Sequence, residues 1–175
     1  MRLTRPVLAS TLAAALLLSG CGQGGVATGD GSGSATAFSC PTKGTQSFSK
    51  ARFVLNVGLA AGAFHQWVWK PYQAGGFKDG ADGRTANLVK AGLAAAFAAK
   101  QVKDATENVK NDPELCSALG QPLAELTGVL DGLQGSITRG DLTSLASIEA
   151  LMASVLGRSE AEGVKIVEQI PESLG

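Results

Sequence analysis

Seventeen consecutive residues, Phe53 to Trp69 (FVLNVGLAAGAFHQWVW), carry no Asp, Glu, Lys or Arg. A segment of that composition, flanked by Arg52 and Lys70, must be covered on nearly all sides. Its apolar positions recur at steps of three and four, and Ser49 ahead of it suits an N-cap. The spacing therefore predicts a helix from about Ser49 to Trp69. Pro71 is expected to stop it, because proline disfavours helical geometry in the residue before it.

After residue 40 no run of alternating apolar and polar residues appears and β-branched residues are sparse, so helical periodicity governs the rest of the chain. A second helix is expected from about Thr85 to Asn111. Leu88, Ala91, Ala95, Ala98, Val102, Ala105 and Val109 form its inner face, while Lys100, Lys103, Asp104, Glu107 and Lys110 lie in water. Asp112, Pro113 and Glu114 are a strong start signal for a third. Leu115, Leu119, Leu123, Leu126, Leu130, Leu133 and Ile137 follow in a seven-residue pattern broken by Gly120 and Pro122. The expectation is a short turn of helix, a kink, and a longer helix to about Ile137. A fourth helix after Asp141 would bury Leu142, Leu145, Ile148, Met152 and Val155. Ser159 and Glu162 have capping-box spacing for a final helix carrying Val164, Val167 and Ile170, closed by Pro171. Short polar turns at Arg139-Gly140-Asp141 and Gly157-Arg158-Ser159 make successive helices antiparallel. The expected fold class is all-α, an antiparallel bundle of four to five helices over residues 40–175. Gly58 and Gly62, Gly92 and Ala96, and Gly128 and Gly132 are small residues four apart, which predicts closely packed Ala/Gly-rich contacts.

Phe64 to Phe77 hold five of the nine aromatic residues and the single histidine, His65. At helical spacing Phe64, Trp67 and Val68 share one side, and His65 and Trp69 another. Two readings stand. The rings close the end of the bundle, or His65, Trp67, Trp69, Lys70 and Tyr72 form a surface that holds a partner such as an envelope protein or glycan. Lys78 and Arg84 would attract an anionic polymer, but Asp79 and Asp82 offset them. One histidine removes Ser-His-Asp and Cys-His arrangements unless His65 itself serves. No phosphate loop, dinucleotide fingerprint, metalloprotease helix or calcium loop occurs. The carboxylate pairs Asp79/Asp82 and Glu160/Glu162 read as loop and helix-start acids. A non-enzymatic chain without catalytic residues, cofactor or metal is expected.

The chain opens MRLTRPVLASTLAAALLLSGCGQGG, with Arg2 and Arg5 ahead of an apolar run from about Val7 to Leu18. That is a secretory signal, too short and wrongly flanked for a stable membrane span. Its end, Leu18-Ser19-Gly20-Cys21, resembles the lipobox of bacterial lipoproteins, where cleavage precedes a cysteine bearing a diacylglyceryl group. The resemblance implies that residues 1–20 are a signal peptide and that Cys21 is the lipidated first residue. It also implies export and anchoring to the outer face of the bacterial cytoplasmic membrane, or to an outer membrane if the cell has one. Each buried methylene of such a lipid contributes roughly 0.8 kcal/mol, and two or more chains give stable attachment. Residues 22–39 are mostly Gly, Ser, Ala and Thr with one charge, so residues 21–39 are expected to be the lipidated cysteine and a flexible tether spanning about 25 Å.

With Cys21 so assigned, Cys40 and Cys116 remain, and in an oxidising setting they are expected to be bridged. Neither has a His or Cys neighbour at ligand spacing. The chain has 15 basic and 15 acidic residues, and without Arg2 and Arg5 it is slightly acidic, so nothing argues for nucleic acid or for electrostatic adhesion to anionic lipid. These features describe a membrane-anchored binding or scaffolding module of the cell envelope. Two alternatives stand beside it: a ligand or envelope-polymer binder with a pocket near residues 64–77, between the first two helices by Trp67, and a membrane-active helical hairpin.

Overall fold

A computed structural model describes residues 38–44, 46–47 and 49–174, so the apolar leader, Cys21 and the tether up to residue 37 lie outside the described residues. The described residues are helical, with no strand among them. In chain order they form α1 (Ser49–Phe64), a π-helical turn (His65–Trp69), α2 (Lys70–Gln73), α3 (Arg84–Val109), α4 (Pro113–Leu130), α5 (Leu133–Thr138) and α6 (Leu145–Ala161). Four of these, α1, α3, α4 and α6, pack closely: α1 makes its broadest contact with α3, α3 packs on α4 and α5, and α4 on α6. None of the described helices is long and apolar enough to cross a membrane.

The core has two textures. Around α1 and α3 it is alanine-rich, with Ala60, Ala61, Ala91, Ala94, Ala95 and Ala98 fully buried. Around α4 and α6 it is built from Leu119, Leu123, Leu126, Ile148, Met152 and Val155, also fully buried. Each large side chain contributes roughly 1.5–3 kcal/mol on burial. An alanine gives only a fraction of that, so the leucine-rich half carries most of the hydrophobic stabilisation. Where α3 meets α4, buried Thr106 donates to the Val102 carbonyl at 2.8 Å and lies 3.2 Å from the Thr127 hydroxyl, which satisfies both polar groups.

The start of α4 is as expected. Asp112 caps it, its Oδ1 accepting from the N–H groups of Glu114 and Leu115 at 3.1 Å each. Cys40 is bridged to Cys116 in the first turns of this helix. The expected interruption at Gly120 and Pro122 does not divide α4, which runs on to Leu130 before a two-residue turn and the short α5. Pro122 is buried, and Gly120 serves packing: the Phe38 ring lies where a Cβ would stand.

The fourth helix begins at Leu145 rather than directly after Asp141, whose carboxylate instead accepts from the Thr143 hydroxyl at 2.8 Å and the Thr143 N–H at 3.2 Å. Those bonds hold the Asp141 carboxyl below the usual aspartate range.

The largest departure is at the C-terminus, where no final helix forms. Ser159 does not start one: it is buried inside α6, donating to the Val155 carbonyl at 2.8 Å, so α6 continues through the expected turn at Gly157-Arg158-Ser159. The terminator is Gly163, in the left-handed region at φ 72°. Its N–H bonds the Glu160 carbonyl at 2.9 Å and the Val164 N–H bonds the Ser159 carbonyl at 2.8 Å, the two bonds of a Schellman motif, with Val164 buried beside them. Residues 164–170 then run without helix across α1, where the Gln169 N–H donates to the Gly58 carbonyl at 2.9 Å.

Gly58 and Gly62 thus make room for this C-terminal segment. A Cβ on Gly58 would meet the Val167 carbonyl, and one on Gly62 the backbone of Gln169. Of the other small pairs, Gly92 faces Thr138 of α5, and nothing lies within 4 Å of a Cβ at Gly128 or Gly132. Gly62→Ala is therefore expected to cost about 1–3 kcal/mol, the range for overpacking. It should also speed amide exchange at Gln169, as hydrogen exchange and urea unfolding of the full chain would show. Unchanged exchange at Gln169 would contradict this role.

Candidate functional site

The uncharged helix does not stop at Pro71. Between His65 and Trp69 the turn widens, and the Lys70 N–H bonds the His65 carbonyl five residues back. Proline has no N–H to give and would crowd the carbonyl four residues before it, here Trp67, in a regular α-helix. The wide turn just ahead of Pro71 accommodates it, and α2 adds one more turn. The end comes at Gly75, φ 75°, where the Gly75 N–H bonds the Tyr72 carbonyl at 3.0 Å and the Gly76 N–H bonds the Pro71 carbonyl at 2.8 Å. This repeats the glycine termination found after α6.

Widening by one residue changes which rings meet. At the ordinary period Trp69 would lie beside His65, but the wide turn brings it against Phe64, with centroids 6.5 Å apart and planes 18° apart. Tyr72 lies on Trp69 at 5.5 Å and 30°. The stack leads from fully buried Phe64 through half-buried Trp69, which packs against the core, to exposed Tyr72. Lys70 is exposed and donates to Gln66 at 2.9 Å. Arg84 is tied to the following loop, with Nε donating to the Phe77 carbonyl at 3.0 Å and Nη2 3.2 Å from Asp79, so it does not extend a basic surface with Lys78.

The other tryptophan points elsewhere. Trp67 forms one wall of an open groove of about 740 Å³, between the π-helical turn, the first turns of α3 and the chain end. Ala86, Val89 and Leu93 of α3 and Leu174 supply apolar surface, and Lys90, Thr85, Glu172 and Ser173 supply polar groups. Val89 and Leu93 are 55% and 50% exposed, large apolar residues one turn apart that present about half of their surface to solvent. The sequence holds their signal as an apolar i, i+4 pair off the Leu88/Ala91/Ala95 face, but an alanine-rich helix is apolar around so much of its circumference that the pair is lost among core positions. Leu174 has no such signal, since only the path of the C-terminal segment brings it here.

His65 is the second feature. Its Nε2 lies 2.8 Å from Glu149 Oε2 on α6 and its Nδ1 2.9 Å from Glu168 Oε1 on the C-terminal segment. Burial opposes the charged ring, but hydrogen bonds to Glu168 and Glu149, with the field of both carboxylates, outweigh it and raise the His65 pKa above its ordinary 6.5. The two carboxylates occupy opposite edges of the ring, so the three groups do not converge on one metal position, and no group of three or more ligating side chains capable of holding a metal occurs among the described residues. Of the five residues read from sequence as a partner surface, the structure places Trp67 in the groove, His65 between two glutamates, Trp69 and Tyr72 in the stack, and Lys70 in solvent. Compared with known proteins, the chain matches no family model, no curated protein and no solved structure, so its function is read from this geometry alone.

Proposed function

We propose that this chain is a non-enzymatic binding module of the bacterial cell envelope, exported and lipid-anchored through Cys21, whose groove at Trp67 takes a ligand or partner segment with an apolar face. The observation that carries the reading is the groove itself, with Trp67, Val89, Leu93 and Leu174 forming an uncovered apolar surface beside Lys90. Its volume is within the range of ligand sites, and an apolar lining with few polar groups is their usual chemistry. An antiparallel order of the helices with close alanine contacts between α1 and α3 belongs to the same reading, since a stiff α1–α3 pair holds the groove walls in place. A lipid anchor on a flexible tether would let such a module sweep the membrane face for its ligand.

Tryptophan emission tests it. In a Trp69→Phe background of the full chain, Trp67 is the only tryptophan, and laurate, an apolar dye or a chito-oligosaccharide entering the groove should change its emission. Leu93→Asp, at a half-exposed position where the fold tolerates a polar group, should weaken that response about tenfold, the worth of one well-buried leucine contact. No response to any of the three probes would overturn the groove reading, and turnover of a hydrolase or transferase substrate that depends on His65 would overturn the non-enzymatic one. The mass of the mature N-terminus checks the anchor, since an unmodified Cys21 is incompatible with it.

A further inference from the structure

The C-terminal segment is a groove wall that lies against Gly58 and Gly62 of α1 and has few polar ties to the bundle. Among the described residues, one backbone bond, Gln169 N–H to the Gly58 carbonyl, ties it to α1, and one side-chain contact, Glu168 to His65, ties it to the bundle. Val164 is buried and Ile166 and Leu174 pack partly against the core, but Val167 and Ile170 face solvent. The contact at Glu168 is therefore one of two polar ties that supplement the packing of residues 164–174.

That contact depends on the protonation of one ring. Imidazolium has two N–H donors and satisfies Glu149 and Glu168 at once; neutral imidazole has one donor and one lone pair. In the neutral ring one carboxylate faces a lone pair at under 3 Å, and that pairing cannot persist. Glu149 belongs to the body of α6 with its side chain 26% exposed, whereas Glu168 is 44% exposed on a segment outside any helix, so Glu168 is the group that leaves.

We propose that His65 is a proton-operated clasp: in its doubly protonated form it ties Glu168 of the C-terminal segment to Glu149 of α6, and on losing a proton it frees residues 164–174 and removes the Leu174 wall of the groove. The proposal rests on the groove being the binding site, and assigns it a regulation in which an apolar ligand is held while His65 is doubly protonated and released as pH rises through its folded-state pKa. The charged groups acting on the ring are Glu168 and Glu149. From its own helix Lys70 is engaged with Gln66, from α3 Lys90 faces the groove, and from the segment itself Lys165 and Glu172 flank Glu168 in sequence. The sign follows from the raised pKa: the clasp is complete below the ordinary histidine value of 6.5 and is lost as pH rises through the folded-state value.

Amide exchange at Gln169 in the full chain, corrected for intrinsic rates and followed beside the His65 Cε1 proton shift from about pH 5.5 to 9, tests the clasp. Protection of Gln169 should fall about tenfold as His65 titrates, the fold-change of one charge-assisted hydrogen bond. Glu168→Gln should hold the segment at every pH, because its amide can accept from imidazolium and donate to neutral imidazole. Protection that stays flat through the His65 titration in the unmodified chain, or that still falls in Glu168→Gln, overturns the clasp. Laurate affinity read by Trp67 emission should weaken about tenfold over the same pH range, as expected for losing one leucine wall. If Gln169 protection falls but laurate binds equally throughout, the link between clasp and groove is overturned. If protection falls and laurate binds at no pH, the groove reading fails and the clasp stands.

Discussion

Breaking the Cys40–Cys116 bridge, by reduction or by the double change Cys40→Ala/Cys116→Ala, is expected to lower the unfolding free energy by about 4 kcal/mol. The bridged residues are 76 positions apart, a long loop. In the chain-entropy account the crosslink acts chiefly on the unfolded chain, and its effect grows with the logarithm of loop length. A second contribution comes from the folded side. Phe38, two residues before Cys40, lies on Gly120 with Lys110 Nζ 5.6 Å from the ring centroid, and the bridge fixes the stretch that carries this ring. Against a total stability on the order of 5–15 kcal/mol, a loss of about 4 is a major fraction. Urea unfolding of oxidised and double-alanine chains, with midpoint and slope both fitted, measures it. Two free thiols in the unreduced protein would contradict the bridge outright.

Phe64→Ala is expected to have an effect of similar size, about 3–5 kcal/mol, from lost transfer energy plus the cavity left behind. Phe64 is fully buried and forms the base of the aromatic stack, so the change removes two things at once. The magnitudes decide between them: a stacked aromatic pair contributes about 0.5–1.5 kcal/mol beyond area burial, so the cavity dominates the loss of stability. Stacking should show instead in the spectrum, as a red-shifted Trp69 emission in a Trp67→Phe background. Tyr72→Ala is the control, for it ends the same stack in solvent and should cost about 1 kcal/mol or less. Equal losses for Phe64→Ala and Tyr72→Ala would mean that the stack, rather than core filling, governs this end of the bundle.

The helix faces were legible because they follow a local rule. Burial at Phe53, Val57, Phe64, Leu88, Ala95, Val102, Leu115, Leu123 and Ile148 is what spacings of three and four require. The start of α4 was equally legible, since Asp112, Pro113 and Glu114 act on the backbone within one turn. Helix ends were harder to read. Pro71 and the Ser159/Glu162 pair look like boundary signals, yet the wide turn at His65–Trp69 accommodates the first, and the Ser159 hydroxyl is satisfied inside α6. In both places a glycine that can adopt positive φ, Gly75 or Gly163, marks the end. Val164, Val167 and Ile170 fit a helical face by spacing, but they follow that glycine, and β-branched residues are equally at home in extended chain.

The sequence by itself determined that this protein is helical, which faces of its main helices are buried, and that residues 64–77 gather the aromatic rings. These depend on periodicity and composition, which act over a few residues. Only the tertiary structure decided that Trp69 meets Phe64 instead of His65, that Gly58 and Gly62 receive an extended segment, and that Glu149 and Glu168 close on opposite edges of one imidazole. The first depends on a local widening of the helical turn, and the other two on contacts between residues far apart in the chain. A one-residue change in helical period, or a glycine that lets a backbone pass, shifts the outcome while leaving the hydrophobic pattern unchanged.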